Sequence, residues 1–221
     1  GQEGGRMVNA CGKVNDQLES ATYPSADVVG AMEMAAFKGN HSVVDAIWGY
    51  TQFLVDKKTR KLLTVAHRSG LYEWLRMPFG PAPAPALRQA YVQKKFGNQI
   101  SKVSGKRFCS ALMDDLCVSS DGLRAHIADM RQLLAVAQAN GFEFKLTKGQ
   151  FNKREIELWG MICGPEGRRP MPQKVLQLER WPEPTDAADL ASFLAFVNYL
   201  RDWMHPDWVK DEQVLAPFRK K

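Results

Sequence analysis

Two adjacent aspartates in an otherwise apolar stretch are the residues with the clearest capacity for chemistry. Asp114 and Asp115 lie inside residues 108–120, which read FCSALMDDLCVSS. Neighbouring side chains of a straight strand point to opposite faces, so both acids serve one site only if the chain turns there. We therefore predict a hairpin of two apolar strands with the acids at its tip, where carboxylate oxygens suit a hard cation such as Mg²⁺. An ordinary surface turn is the alternative, since aspartate is common in turns.

A third aspartate ends a second apolar run. Asp45 follows the β-branched pair Val43 and Val44. An acid at the end of a buried strand is a stronger indication of function than an acid in a loop. The alternative is a helix cap or a turn residue, both of which favour aspartate.

The composition is that of a globular protein with a modest basic excess. Of 221 residues, 45% are hydrophobic and 24% charged, with a net charge of +6. The excess is compatible with a polyanionic partner. No stretch is long and apolar enough to span a bilayer and no signal peptide is evident, so we expect no membrane partner. The chain begins without methionine, and we expect a fragment of a longer protein.

The cysteines and histidines are dispersed and predict neither a zinc site nor a disulfide framework. We interpret the cysteines as small buried residues in a reducing compartment and the histidines as structural. The residues are Cys11, Cys109, Cys117, Cys163, His41, His67, His126 and His205.

The order of elements predicts an α+β fold, a mostly antiparallel region followed by a helical one. There is no βαβ rhythm and no phosphate-binding glycine loop. Helices are predicted at 26–38, capped by Ser25 or Asp27, at 86–96 and at 122–140. Three more are predicted at 175–181, at 186–204 and at 209–220, with a break at Pro182-Glu183-Pro184. Strands are predicted at 142–146 and at 156–162, and a strand–turn–strand at 52–64 with a basic tip at 56–61.

In the order in which these motifs occur, the chain resembles the polymerase domain of reverse transcriptases, in particular those of Ty3/gypsy-type long-terminal-repeat retrotransposons. The resemblance extends over nearly the whole chain. It rests on 44–50 (VDAIWGY), 70–80 (GLYEWLRMPFG), Ala84-Pro85, Met113-Asp114-Asp115, Lys148, Leu158-Trp159-Gly160, 167–170 (GRRP), 181–185 (WPEPT), 192–194 (SFL) and Asn198-Tyr199.

The resemblance implies a right-hand polymerase fold with an antiparallel palm sheet, partial fingers and a helical thumb. Residues 1–42 then form the partial fingers and palm entry. Residues 43–165 form the palm, with an inserted fingers segment at about 51–80. Residues 166–221 form the thumb and the start of the connection.

The resemblance also implies the roles of individual residues. Tyr50 would stack under the sugar and reject a 2′-hydroxyl, and Lys148 would act near the pyrophosphate as a general acid. Core packing is the alternative for Tyr50 and Trp159. The implied sets are catalytic Asp45, Asp114 and Asp115; metal-binding Asp45, Ala46, Asp114 and Asp115, for two Mg²⁺ or Mn²⁺ ions; nucleotide-binding Arg6, Trp48, Gly49, Tyr50, Phe79 and Lys148; and primer-grip Leu158, Trp159 and Gly160.

One residue and two short segments depart from the pattern of that family. Leu112 replaces the tyrosine before the aspartate pair, residues 81–85 (PAPAP) replace a segment with lysine and asparagine, and 10–12 (ACG) replaces Asp-Tyr-Arg. The additional prolines remove amide donors and stiffen the turn.

Two functions therefore remain open. The first is an RNA-directed DNA polymerase whose partners are an RNA or DNA template–primer, deoxynucleotides, the ribonuclease H and integrase domains of the same polyprotein, and a second copy in a homodimer. Its expected location is a cytoplasmic or nuclear retroelement particle. The second is a retroelement-derived protein that binds nucleic acid without catalysis. An unrelated Mg²⁺ nuclease would need more clustered carboxylates.

Overall fold

The computed structural model describes residues 11–18, 27–112, 115–215 and 217–218. The chain divides into two compact units. The N-terminal unit is Gly1–Ile156 with Cys163–Arg168, and the C-terminal unit is Glu157–Ile162 with Arg169–Lys221. The predicted domain boundaries stay a prediction. No helix in the described part of the chain is long and apolar enough to cross a bilayer.

Helices are formed in all the predicted helical stretches, with small differences at their ends, and two short helices, Gly12–Asn15 and Lys57–Leu62, lie outside those stretches. In the described ranges they are α1 Gly12–Asn15, α2 Val28–Ala35, α3 Lys57–Leu62, α4 Ala84–Val92, α5 Leu123–Ala139, α6 Pro172–Glu179, α7 Ala187–Tyr199 and α8 Trp208–Leu215. The side chain of Asp27 caps α2 by accepting from the amide of Gly30 (2.8 Å), as predicted. A π-helical turn, Gln93–Gly97, continues α4.

The strands form antiparallel sheets, which confirms the predicted α+β class. They are β1 Asn40–Asp45, β2 Val65–His67, β3 Gly70–Tyr72, β4 Cys109–Leu112, β5 Asp115–Ser120, β6 Gln150–Lys153, β7 Ile156–Leu158, β8 Met161–Gly164 and β9 Gly167–Pro170. The sheet orders are β4-β5-β1-β6, β2-β3 and β7-β8-β9. Strand β1, which ends in Asp45, therefore lies inside the largest sheet.

The hydrophobic core lies against one face of this sheet. Val44 and Leu116 pack there with Leu133 of α5 and Phe96 of the π-helical turn after α4, and all four are essentially buried. Side chains of a strand alternate between faces, so Asp45 lies on the opposite face from Val44. Burial of one face thus decides which face carries the acid.

A relay of buried hydrogen bonds joins α5 to the same sheet. The amide of Asn152 donates to Ser42 Oγ (3.1 Å), and Ser42 bonds His126 Nε2 (2.7 Å). His126 Nδ1 bonds Ser120 Oγ (3.3 Å), which donates to Asp129 Oδ2 (2.7 Å). With these directions, neutral His126 donates from Nδ1 and accepts at Nε2. Burial lowers the pKa of His126 below its ordinary value, which keeps the imidazole in that state.

The predicted strand–turn–strand at 52–64 is wrong, because its basic tip is helix α3. The carboxylate of Asp56 accepts from the amides of Lys58 (3.0 Å) and Thr59 (3.1 Å) and so caps the helix. The run after Asp56 consists mainly of lysine, arginine and leucine, which have high helix propensity. A hairpin is formed further along the chain, where β2 pairs with β3.

The predicted strand at 142–146 is formed only as a single bridge, Ala46 to Phe144. The cause is the end of α5, where Gly141 has φ of +60°. The amide of Gly141 bonds the carbonyl of Gln138 (3.2 Å) and that of Phe142 bonds Ala137 (2.9 Å), which is a Schellman motif. The chain turns back here towards the end of β1.

Replacing the glycine of this motif is expected to destabilise the protein. Gly141→Ala forces a side chain into the left-handed region and should lower the free energy of unfolding by about 1 kcal/mol. No atom lies within 4 Å of the added Cβ, so the loss comes from backbone strain. The matched control is Gly39→Ala, where the new Cβ meets only Pro165 at 3.5 Å. Equal losses in urea unfolding of the two variants would contradict this explanation.

Stability is expected to fall as the pH drops below about 6.5, the ordinary histidine pKa. Burial lowers the pKa of His41 and His126 in the folded protein, so the unfolded chain takes up protons first. The stabilisation is complete above about pH 6.5 and is lost as the pH falls towards the lowered values. Urea unfolding between about pH 7 and pH 5 measures this slope. His126→Gln should flatten it, whereas the exposed-residue control His67→Gln should not.

Candidate nucleotidyl-transfer site

Asp45 and Asp115 are directly opposite each other in the antiparallel pairing of β1 and β5. Opposed residues share a face, with Cβ atoms about 5 Å apart. Asp45 is half-buried and Asp115 is exposed. The structure thus brings together two of the three acids that the sequence singled out.

The predicted hairpin is confirmed in its two strands. β4 and β5 pair up to Leu112 opposite Asp115, with Met113 and Asp114 between them in sequence. Both of these residues lie outside the described residues, and so does Arg6. The roles predicted for Asp114 and Arg6 therefore stay predictions.

Two opposed carboxylates are a favourable donor set for a divalent cation. Like charges directly across a sheet destabilise it, and a bound cation removes that repulsion. Mg²⁺ prefers such hard oxygen donors and takes few of them from protein. Among the residues that the structure describes, no group of three metal-binding side chains is found. A complete set of acids would therefore need Asp114.

The backbone of Ala46 fits the predicted part of that donor set. The carbonyl of Asp45 accepts from the amide of Lys145 (2.8 Å), and the amide of Ile47 donates to the carbonyl of Glu143 (3.1 Å). Both bonds join the chain around Ala46 to the 143–145 segment. In an antiparallel ladder the intervening residue points its polar groups to the other edge. The carbonyl of Ala46 therefore faces the edge at which β1 pairs with β5.

The turn after β1 carries the residues predicted to bind the nucleotide. Trp48 has φ of +48°, which is rare for a bulky residue and marks a constrained site. Its side chain is 62% exposed, whereas the next residue, Gly49, is buried. Gln52 braces the turn, because its amide nitrogen donates to Glu143 O (3.0 Å) and its oxygen accepts from Glu143 N (3.0 Å).

Tyr50 and Phe79, which are 29 residues apart in sequence, are in contact. Their rings meet edge to face, with centroids 4.9 Å apart. The amide of Met77 donates to Phe53 O (2.9 Å), which aligns the two segments. The structure thus joins two of the predicted nucleotide-binding residues into one aromatic surface.

Asn15 holds the proline-rich segment that departs from the family pattern. Its side-chain nitrogen donates to Gly80 O (3.0 Å), and its oxygen accepts from Ala82 N (2.8 Å). One amide therefore fixes the backbone on both sides of Pro81, directly after Phe79.

Lys148 lies at the end of a short 3₁₀ helix, Leu146–Lys148, and is exposed. The helix follows Lys145, whose amide bonds the Asp45 carbonyl. Lys148 therefore lies three residues after a residue that is hydrogen-bonded to the end of β1. The role predicted for its amine stays a prediction.

The predicted primer-grip residues form a tight turn within the C-terminal unit. Trp159 and Gly160 both have positive φ, at +49° and +87°, which is typical of a type I′ hairpin turn. The hydroxyl of Tyr199 donates to Trp159 O (2.6 Å) and would lie 2.8 Å from a Cβ at position 160. Gly160 is therefore needed for its conformation and for the space that Tyr199 occupies. Leu158 is buried beneath the turn.

The cysteines do not supply a nucleophile. All four are free and buried, which confirms the burial predicted for them. Burial raises the pKa of Cys117 to about 12 and that of Cys163 to about 11. A thiol in that state carries almost no thiolate at neutral pH.

A residue that sequence reasoning missed lies under the Tyr50 turn. Arg88 of α4 is 2% exposed, and its Cζ is 5.4 Å from the centroid of the Tyr50 ring. Nothing in the spacing of Arg88 indicated the contact, because a buried arginine is rare and its partner is 38 residues away.

The family is decided by a match to the model of the family "Reverse transcriptase (RNA-dependent DNA polymerase)". It spans residues 33–163, more than half of the chain. The chain belongs to the reverse transcriptase family. The match contains Asp45, the hairpin and the aromatic contact of Tyr50 with Phe79.

Known relatives agree with this reverse transcriptase assignment and confirm the Ty3/gypsy resemblance. The Pol polyprotein of the Drosophila melanogaster transposon opus is 27% identical over 95% of this chain and 20% of its own length. That of transposon gypsy is 24% identical over 89% of this chain and 18% of its length. The chain therefore spans about a fifth of the curated relatives that it matches.

Solved reverse transcriptases share the fold. A foamy viral protease–reverse transcriptase in complex with double-stranded DNA has a TM-score of 0.77 at 19% identity, over 96% of this chain and 36% of that one. The same viral protein in complex with an RNA/DNA hybrid has a TM-score of 0.69 at 18% identity, over 94% and 27%. The predicted right-hand polymerase fold is thereby confirmed.

Removing one of the opposed charges is expected to change how the protein responds to Mg²⁺. Without the metal, Asp45→Asn should raise the free energy of unfolding by up to about 1 kcal/mol, because the like-charge pair is lost. Millimolar Mg²⁺ should stabilise the wild type and leave the variant unchanged, since only the wild type binds it in the folded state. Thermal unfolding with and without Mg²⁺ at constant ionic strength measures both effects.

The control for that experiment is Asp121→Asn, which removes an exposed acid just after β5. It should respond to Mg²⁺ as the wild type does. Equal stabilisation of wild type and Asp45→Asn would show that the opposed acids do not hold the ion.

Proposed function

We propose that the chain is the polymerase unit of a retrotransposon Pol polyprotein and synthesises DNA on an RNA or DNA template. The reaction is attack of a primer 3′-hydroxyl on the α-phosphorus of a deoxynucleoside triphosphate, with release of pyrophosphate. The observation that carries the proposal is that Asp45 lies opposite Asp115 in the pairing of β1 and β5. Asp114 directly precedes Asp115 in the sequence.

Asp45, Asp114, Asp115 and the carbonyl of Ala46 would hold two Mg²⁺ or Mn²⁺ ions. When bound, such ions lower the pKa of the attacking hydroxyl and neutralise charge on the phosphates. The protein's own contribution is placement, because oxygen donors fixed on strand ends need little rearrangement during the reaction.

The aromatic surface of Tyr50 and Phe79 would select and orient the nucleotide. Tyr50 would lie under the sugar, and the bulk of its ring would exclude a 2′-hydroxyl. Phe79 would lie beside the same nucleotide, and its contact with Tyr50 supports a shared pocket. Arg6 and Lys148 would neutralise the triphosphate, with Lys148 protonating the leaving pyrophosphate.

The turn of Trp159 and Gly160 would hold the primer end. Its two positive φ angles and its bond to Tyr199 make it a rigid platform, which suits a positioning role. Leu158 would anchor it from below. The turn lies in the C-terminal unit, to which the thumb is assigned in this proposal.

The proposed partners are those of a retroelement polymerase. Template–primer and deoxynucleotides are the substrates, and ribonuclease H and integrase domains would belong to the same polyprotein. A homodimer and a cytoplasmic or nuclear retroelement particle complete the proposal. The nucleic acids bound to the foamy viral protein support the template–primer, and the names of the Drosophila relatives support a place in a Pol polyprotein.

Primer extension on an RNA template with deoxynucleotides and Mg²⁺ tests the proposal. The wild type should extend the primer, and Asp114→Asn or Asp45→Asn should lower the rate at least about 1000-fold, since a metal contributes several kcal/mol. Asp121→Asn is the matched control and should retain the rate.

The outcomes separate the two open functions. No extension by the wild type, together with salt-sensitive binding of the primer–template, would support a nucleic-acid-binding protein without catalysis. Extension that survives in both acid variants would place the chemistry elsewhere.

A further inference from the structure

A buried cation lies directly beneath the turn that carries the proposed nucleotide-selecting tyrosine. Arg88 of α4 is 2% exposed, and its guanidinium carbon is 5.4 Å from the centre of the Tyr50 ring. Arg88 also lines a cavity of about 340 Å³ whose other walls include Phe53, Leu63 and Met77. Most of the residues that line this cavity are apolar, and Asp56 is the acid among them.

Cation–π attraction is strongest when water is excluded, as it is here. The planar guanidinium attracts the face of the Tyr50 ring, and Phe79 packs against the ring edge to face with an interplanar angle of 65°. The ring is thus held by two neighbours of different chemistry. Removal of the cation therefore removes one of the contacts that orient the ring.

Gly49 provides the space for this arrangement. A Cβ at Gly49 would lie 2.6 Å from both Nε and Nη2 of Arg88. The residue does not have a positive φ, so the backbone conformation does not require glycine. What requires it is the close approach of the guanidinium to the chain at that point.

We propose that Arg88 is a positioning residue that sets the discrimination between deoxyribonucleotides and ribonucleotides by fixing the Tyr50 ring. The proposal rests on the proposed function, in which the ring of Tyr50 excludes the 2′-hydroxyl. The difference between a sugar that fits and one that clashes is a single oxygen atom. A small tilt of the ring therefore changes the selectivity before it changes the chemistry.

The test compares kcat/KM for dATP and ATP on one RNA template–primer with Mg²⁺. Arg88→Met keeps much of the side-chain volume and removes the cation, and should raise the ATP/dATP ratio about tenfold. Arg88→Lys keeps a cation without the planar group and should raise the ratio by no more than about threefold. This partial rescue would not be expected of a residue that only fills space.

Gly49→Ala gives an independent approach to the same contact. The new methyl group displaces the guanidinium, so the ratio should rise as in Arg88→Met. The double variant should show no further rise, because both changes remove one interaction. Independent effects that multiply in the double variant would contradict the proposal.

Two controls separate positioning from general damage. Val92→Ala removes a buried side chain of the hydrophobic core from the same helix and should lower stability without changing the ratio. Arg131→Met removes an exposed arginine of α5 and should change neither. An unchanged ratio in folded Arg88→Met, or an equal change in Val92→Ala, would overturn the proposal.

If the chain is not a polymerase, a measurement of stability still tests the contact between Arg88 and Tyr50. If the wild type does not extend primers, a double-mutant cycle of Arg88→Met and Tyr50→Leu in urea unfolding still measures the contact. Coupled losses of stability would show that Arg88 fixes Tyr50, whereas additive losses would overturn the positioning role.

Discussion

The antiparallel register between β1 and β5 is the constraint on which the site depends. It sets Asp45 opposite Asp115, and it sets His41 opposite Ser119 four residues earlier, where His41 Nδ1 and Ser119 Oγ lie 2.9 Å apart. Because side chains alternate, a shift of one residue would move Asp45 to the face that carries Val44. The register therefore fixes the face of the acids, and the buried side of the sheet fixes the register.

Two like charges at a strand end are a local cost that the rest of the N-terminal unit must offset. The apolar cluster beneath the sheet and the hydrogen-bond relay through His126 supply that stability, since both join α5 to β1 and β5. Functional sites commonly contradict the local rules that the rest of a fold obeys. Here the contradiction is confined to the rim of the sheet, at the end of β1 and the start of β5.

Sequence reasoning succeeded where one local pattern decided the structure. The apolar stripe and the Asn140-Gly141 end predicted α5, and the apolar runs around the acids predicted β4 and β5. It was wrong at 52–64, where the cap by Asp56 made a basic run helical. It also gave no indication of Gln52 or Arg88, because each acts on a partner tens of residues away in sequence.

The sequence by itself determined the family, the acids and the order of the motifs, because residue types and their spacing carry that information without contacts. Only the tertiary structure decided which of these residues meet. Strand pairing brought Asp45 to Asp115, and the packing of α4 placed Arg88 beneath Tyr50. The reason is physical: register and packing depend on the simultaneous burial of many distant apolar groups, and no single segment contains that information.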